Sequence, residues 1–76
     1  MEDKSVIAQR SIRYLDDRIF LLNDKSIEHK IIHNRLVIKV MSNMNRLVEV
    51  DEFTRKKVLH NFLAEEVTHM VSEQLR

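Results

Sequence analysis

A chain of 76 residues, 43% hydrophobic and 33% charged, has the make-up of one small globular domain; a domain of that size buries only about 60% of the surface its unfolded form exposes. It has no cysteine, so neither a disulfide framework nor a thiolate metal site supplies extra stability, which fits a reducing, cytoplasmic setting. A formal charge of +1 excludes a global bias towards nucleic acid or lipid; no stretch approaches the roughly 20 apolar residues of a membrane span, and no signal-type apolar run follows the polar start Met1-Glu2-Asp3-Lys4.

Glycine and proline are both absent, and these are the residues that tight turns and positive-φ positions recruit. Tight β-hairpins are therefore disfavoured. The expectation is an all-α protomer, residues 1–76 forming one domain of three helices at roughly 4–22, 26–48 and 52–74. The links are Asn23-Asp24-Lys25-Ser26 and the region of Val50-Asp51. Asp24 or Ser26 is placed to cap the second helix, and Asp51, followed by Glu52 in the first turn, to cap the third.

In the first helix, Ala8, Ile12, Leu15, Ile19 and Leu22 recur at three-to-four spacing and make a core face. Ile7, Tyr14 and Leu21 form a second column seven residues apart, separated from the first by Ser11 and Arg18, so one helix asks for two contacts. Asp16 and Asp17 are adjacent and diverge by about 100° on a helix, which stops them sharing a substrate as acid and base. They read as a solvated face with Arg13 and Arg18. The run Ile12-x-x-Leu15-Asp16-x-x-Ile19 is similar to the opening helix of the all-helical chorismate mutases. Gln9, Ser26 and Val37 stand where that family carries substrate-clamping cations, and a diacid cannot be held without them.

The second helix is apolar nearly all round. Glu28, Arg35, Lys39, Ser42 and Arg46 share one polar wedge. Ile27, Ile31, Val37, Ile38, Met41, Met44 and Val48 take one broad side, and Ile32, Leu36, Val40 and Leu47 another. Such a helix must be covered nearly all round, which two partner helices in a short chain do not achieve, so self-association is expected, most simply as a homodimeric bundle. Ile7, Tyr14, Leu21, Ile32, Leu36, Val40 and Leu47 are the residues assigned to the dimer or partner interface. Asn34 and Asn45 fall on the broad apolar side, where a polar residue either fixes register or marks a solvated notch or a helix end. A hairpin is the competing arrangement, because the β-branched segments 34–40 and 45–50 flank Met41-Ser42-Asn43-Met44. His29 and His33, four apart, place two rings within reach of one metal ion, although two imidazoles alone are a weak signal.

The third helix turns Phe53, Leu59, Leu63, Val67, Met70 and Val71 inward, with His60 on the same stripe as a possible pH-sensitive interface residue, and Arg55, Glu65, Ser72 and Glu73 outward. His69 and Phe62 form a surface pair. Glu66-Val67-Thr68-His69 has the Glu-x-x-His spacing of carboxylate-bridged di-iron bundles, but as a single motif without the further glutamates. Arg55, Lys56 and Lys57 put three cations in the first turns, at the positive end of the helix dipole, where they read as a phosphate contact or as a solvated face neutralised by Asp51 and Glu52. Arg35, Lys39 and Arg46 add a second basic strip.

There is no glycine-rich phosphate loop, cysteine nucleophile or serine elbow, so no catalytic residue, cofactor or metal is assigned and no enzyme is expected. Residues 27–67 resemble the small enteric connector proteins of the biofilm and acid-resistance regulator family through Lys30, Ile32, Leu36 and Val37, and through Asp51-Glu52-Phe53-x-Arg55-Lys56-x-Val58-Leu59. The resemblance implies a dimeric cytoplasmic regulator, associated with two-component signalling, that binds a signalling or transcription protein. The functional expectation is a non-enzymatic regulator or adaptor acting by protein binding as a homodimer. Its alternative is a nucleic-acid-binding regulator using the two basic patches.

Overall fold

A computed structural model of the chain describes residues 3–22 and 29–74, with side chains described for 3–20 and 29–73. The described residues form four helices and no strand: α1 (Lys4–Leu22), α2 (His29–Ser42), α3 (Met44–Glu49) and α4 (Glu52–Gln74). The all-α class follows, and the 34–50 hairpin is ruled out. The 23–26 link, its two capping candidates and Ile27 lie outside the described residues.

Local chemistry sets the helix ends. Asp3 starts α1, its carboxylate accepting from the Ser5 backbone N–H at 3.3 Å and the Ser5 hydroxyl at 3.1 Å. Asp51 starts α4 as expected, Oδ1 accepting from the Thr54 N–H at 2.7 Å while its carbonyl accepts from the Arg55 N–H at 2.9 Å.

The expected second helix breaks once, at Asn43. Its side-chain amide donates to the Lys39 carbonyl at 2.7 Å, taking the acceptor that the Asn43 backbone N–H would use in a continuous helix, and that N–H moves to the Val40 carbonyl at 3.1 Å. The residue sits at φ −114°, ψ 16°, outside the helical well, and the chain restarts as α3 when the Leu47 N–H reaches the Asn43 carbonyl at 3.0 Å. The polar stretch around Asn43 is thus a link, but between helices.

α1 packs on α2, α3 and α4, and α2 also on α4. Asp16 in the later half of α1 meets the start of α2, while Lys4 at the start of α1 donates to Asn45 Oδ1 in α3 at 3.3 Å, so α1 and α2 run antiparallel. Arg35 reaches Glu73 and Lys39 reaches Glu65, which makes α2 and α4 antiparallel as well. All four helices feed one apolar cluster, in which Leu15, Leu36, Val40, Leu47, Leu59 and Leu63 are almost completely buried.

The two columns assigned to α1 are a single face. Ile7, Ala8, Ser11, Leu15 and Ile19 are all buried, with Ile12 and Tyr14 packed at the edges. Ser11 lies in the middle of this arc, small enough to be covered from both sides. In α4 the buried arc is rotated relative to the expected one. Val58, Leu59, Phe62, Leu63 and Met70 are buried, whereas Phe53 is 68% exposed and His60 and Val71 are exposed. Phe62 is therefore core and no surface partner of His69, and His60 faces solvent.

Candidate functional site

The residues assigned to an interface lie mostly inside the chain's own core. Ile7, Ile32, Leu36, Val40 and Leu47 are buried among α1, α2, α3 and α4, and Tyr14 is half-buried against them. The five buried residues are covered by this chain and present no surface to a second molecule, whereas Tyr14 keeps part of its ring at the surface. The Leu21 side chain lies outside the described residues.

What α2 leaves uncovered is its opposite side. Ile31, Ile38 and Met41 are 42%, 67% and 57% exposed, and Asn34 on the same helix is exposed as well. Positions 31, 34, 38 and 41 alternate steps of three and four, the a and d positions of a heptad. A strict a/d stripe is the narrow seam of a coiled coil, distinct from the wider face by which a helix beds into a globular core. Half of α2 is buried by this chain, and the seam is the half that is not.

The basic residues do not converge on one surface. Arg35 lies 3.6 Å from Glu66 Oε2 and 3.9 Å from Glu73 Oε2, and Lys39 lies 2.6 Å from Glu65 Oε2 and 3.9 Å from Glu66 Oε1, so both cations are turned into the α2–α4 junction. Arg55, expected outward, is half-buried and donates to the Leu47 carbonyl at 2.9 Å and the Val50 carbonyl at 3.0 Å, satisfying the end of α3. Lys56 pairs with Glu52 at 3.7 Å and Lys57 lies over the Phe53 ring at 4.5 Å. Arg46 is exposed on α3, whereas the triplet belongs to α4. Tyr14, Phe53, Lys56, Lys57, His60 and Asn61 border an open groove of about 410 Å³.

Asp51 titrates below its ordinary value of 3.8. The Thr54 backbone N–H is the main cause, followed by the Thr54 hydroxyl and then the positive charges of Arg55 and Lys57. The carboxylate that caps α4 therefore stays ionised into moderately acid solution.

Sequence reasoning placed Asp16 in a solvated face, yet it is half-buried against the start of α2. Its Oδ1 lies 2.6 Å from His33 Nδ1 and 3.4 Å from His29 Nε2. The two imidazoles face each other with centroids 6.4 Å apart, and Phe20 covers His29 at a centroid distance of 4.6 Å. The four-residue spacing of His29 and His33 was visible in the sequence. The third member was not, because it comes from another helix, 17 residues before His33.

No helix among the described residues is long and apolar enough to cross a membrane. No family model, curated protein or solved structure matches the chain.

Proposed function

We propose that the protein is a small non-enzymatic regulator or adaptor that acts by helix-mediated protein binding, with the outer seam of α2 as its contact and a second copy of itself as first partner. The observation that carries this reading is the a/d spacing of exposed Ile31, Ile38 and Met41 on a helix whose other side is already packed. Full burial of a fully exposed aliphatic side chain contributes roughly 1.5–3 kcal/mol; Ile31, Ile38 and Met41 start from 42%, 67% and 57% exposure and contribute a fraction of that each, which supports weak, reversible pairing. Asn34 in the seam supplies register: two amides that meet across the pair satisfy each other, and a slip of one heptad leaves them facing aliphatic groups.

The likeness of residues 27–67 to the connector family supports the same reading, that of a cytoplasmic dimer binding a signalling or transcription protein. Nucleic-acid binding has less support, because Arg35, Lys39, Arg55 and Lys56 each engage groups of their own chain. Sedimentation equilibrium tests the proposal, comparing the wild-type chain with Ile38→Glu. The expected result is a dimer converted to a monomer of unchanged far-UV circular dichroism, and a wild-type chain that stays monomeric at 100 µM, a level set by the experimenter, overturns it.

A further inference from the structure

We infer that Asp16, His29 and His33 form a binding site for a divalent transition-metal ion of the zinc class, which fastens α1 to α2. The ligand atoms of these three side chains all lie within 4.8 Å of one another. In a tetrahedral zinc site with bonds of about 2.0–2.1 Å, neighbouring ligand atoms stand about 3.3 Å apart. The observed separation of 3.4 Å between Asp16 Oδ1 and His29 Nε2 already has that value. The 2.6 Å between Asp16 Oδ1 and His33 Nδ1 needs to open by about 0.7 Å, and the two histidine nitrogens, no more than 4.8 Å apart, need to close by up to about 1.5 Å, both by side-chain rotation.

The donor set selects the ion. Two imidazole nitrogens and one carboxylate oxygen suit zinc and its transition-metal neighbours, whereas calcium and magnesium require all-oxygen shells. Three protein ligands leave a fourth position for water. The histidines, four apart on α2, present both rings to one point, and the carboxylate arrives from the antiparallel helix.

The backing of the site is uneven. All three residues are half-buried, and Phe20 shields His29 on one side. Among the described residues the Nδ1 atom of His29 is buried without a hydrogen-bond partner. A ligating histidine normally donates that N–H to an acceptor, and lack of one weakens affinity by about 10–100-fold. This is therefore a site of moderate affinity that fills and empties with the available metal, unlike a permanent structural zinc.

Titration calorimetry of the full chain with zinc chloride, in a buffer free of chelators, tests the proposal together with the melting temperature followed by circular dichroism. The expected outcome is about one zinc per chain and a rise in melting temperature that grows with zinc concentration. Asp16→Asn and His33→Ala should each weaken binding at least tenfold, whereas His69→Ala should leave it unchanged, because His69 pairs instead with Glu73 on α4. If a variant does not fold, histidine ring resonances of the wild-type chain serve in its place: zinc should move those of His29 and His33 and spare His60 and His69. Absence of binding, binding indifferent to the substitutions at Asp16 and His33, or ring shifts confined to His60 or His69 each overturn the assignment.

Discussion

Ser11 is buried at the centre of the α1 face, and its hydroxyl has no hydrogen-bond partner among the described residues. A stranded hydroxyl costs about 1–3 kcal/mol, and alanine is also the better helix former. Ser11→Ala is therefore expected to stabilise the fold by about 1 kcal/mol, which raises the melting temperature of a domain this small by roughly 4–8 °C in a thermal scan. Asp51 gives a prediction of opposite sign that depends on pH. Its folded pKa is depressed, so the stability it contributes is present above its unfolded value near 3.8 and is lost as pH falls through the lower folded value. Asp51→Ala should accordingly melt below wild type at neutral pH, and the gap should close as the scan is repeated at pH values under 3.8. Asp51 was legible in the sequence because a cap needs only its own next turn. Asp16 was not, since its role depends on which residues a separate helix brings opposite it.

The α2–α3 break shows why helix existence was easier to read than helix shape. A continuous apolar pattern over 26–48 hid one side chain, the Asn43 amide, that competes with the backbone for the Lys39 carbonyl. The phase of α4 was misread for a related reason. Apolar residues spread over so wide an arc that the expected face holds at Leu59, Leu63, Met70 and the half-buried Val67 but fails at its edges, where Phe53, His60 and Val71 are exposed and Val58 and Phe62 are buried instead. What settles the phase is which side the neighbouring helices cover, and Arg55 and Glu66 lie inside that arc because each finds partners there. Removal of Asn43 tests the break: Asn43→Ala restores the straight-helix bond to Lys39 at the expense of the angle that seats Met44 and Leu47 in the core. The variant should lose about 1–3 kcal/mol in a urea titration while keeping its helical content by circular dichroism. Within the basic triplet, Arg55→Ala should cost about 1.5–3 kcal/mol through its two carbonyls. Lys57→Ala should stay within about 0.5 kcal/mol in the same titration.

The molecule as a whole is elongated, 44 × 19 × 18 Å, with one apolar cluster along its length and the α2 seam along its outside. If that seam pairs two copies, folding and association are linked, and the melting temperature depends on protein concentration. Tenfold dilution of the wild-type chain should lower it, and Ile38→Glu should remove the dependence while leaving the protomer folded. The corner between α3 and α4 has a consequence for the order of assembly. No described residue has positive φ, so this corner is closed by extended Val50, with φ −101° and ψ 158°, and by a side chain from beyond it. The Leu47 and Val50 carbonyls wait for Arg55, eight and five residues further along. A six-residue helix has too few internal bonds to persist alone. Nucleation is therefore expected elsewhere, in the long helices, with α3 forming only after the first turn of α4 brings its guanidinium back across the corner; Arg55→Ala should then speed unfolding and leave the folding rate nearly unchanged in stopped-flow measurements.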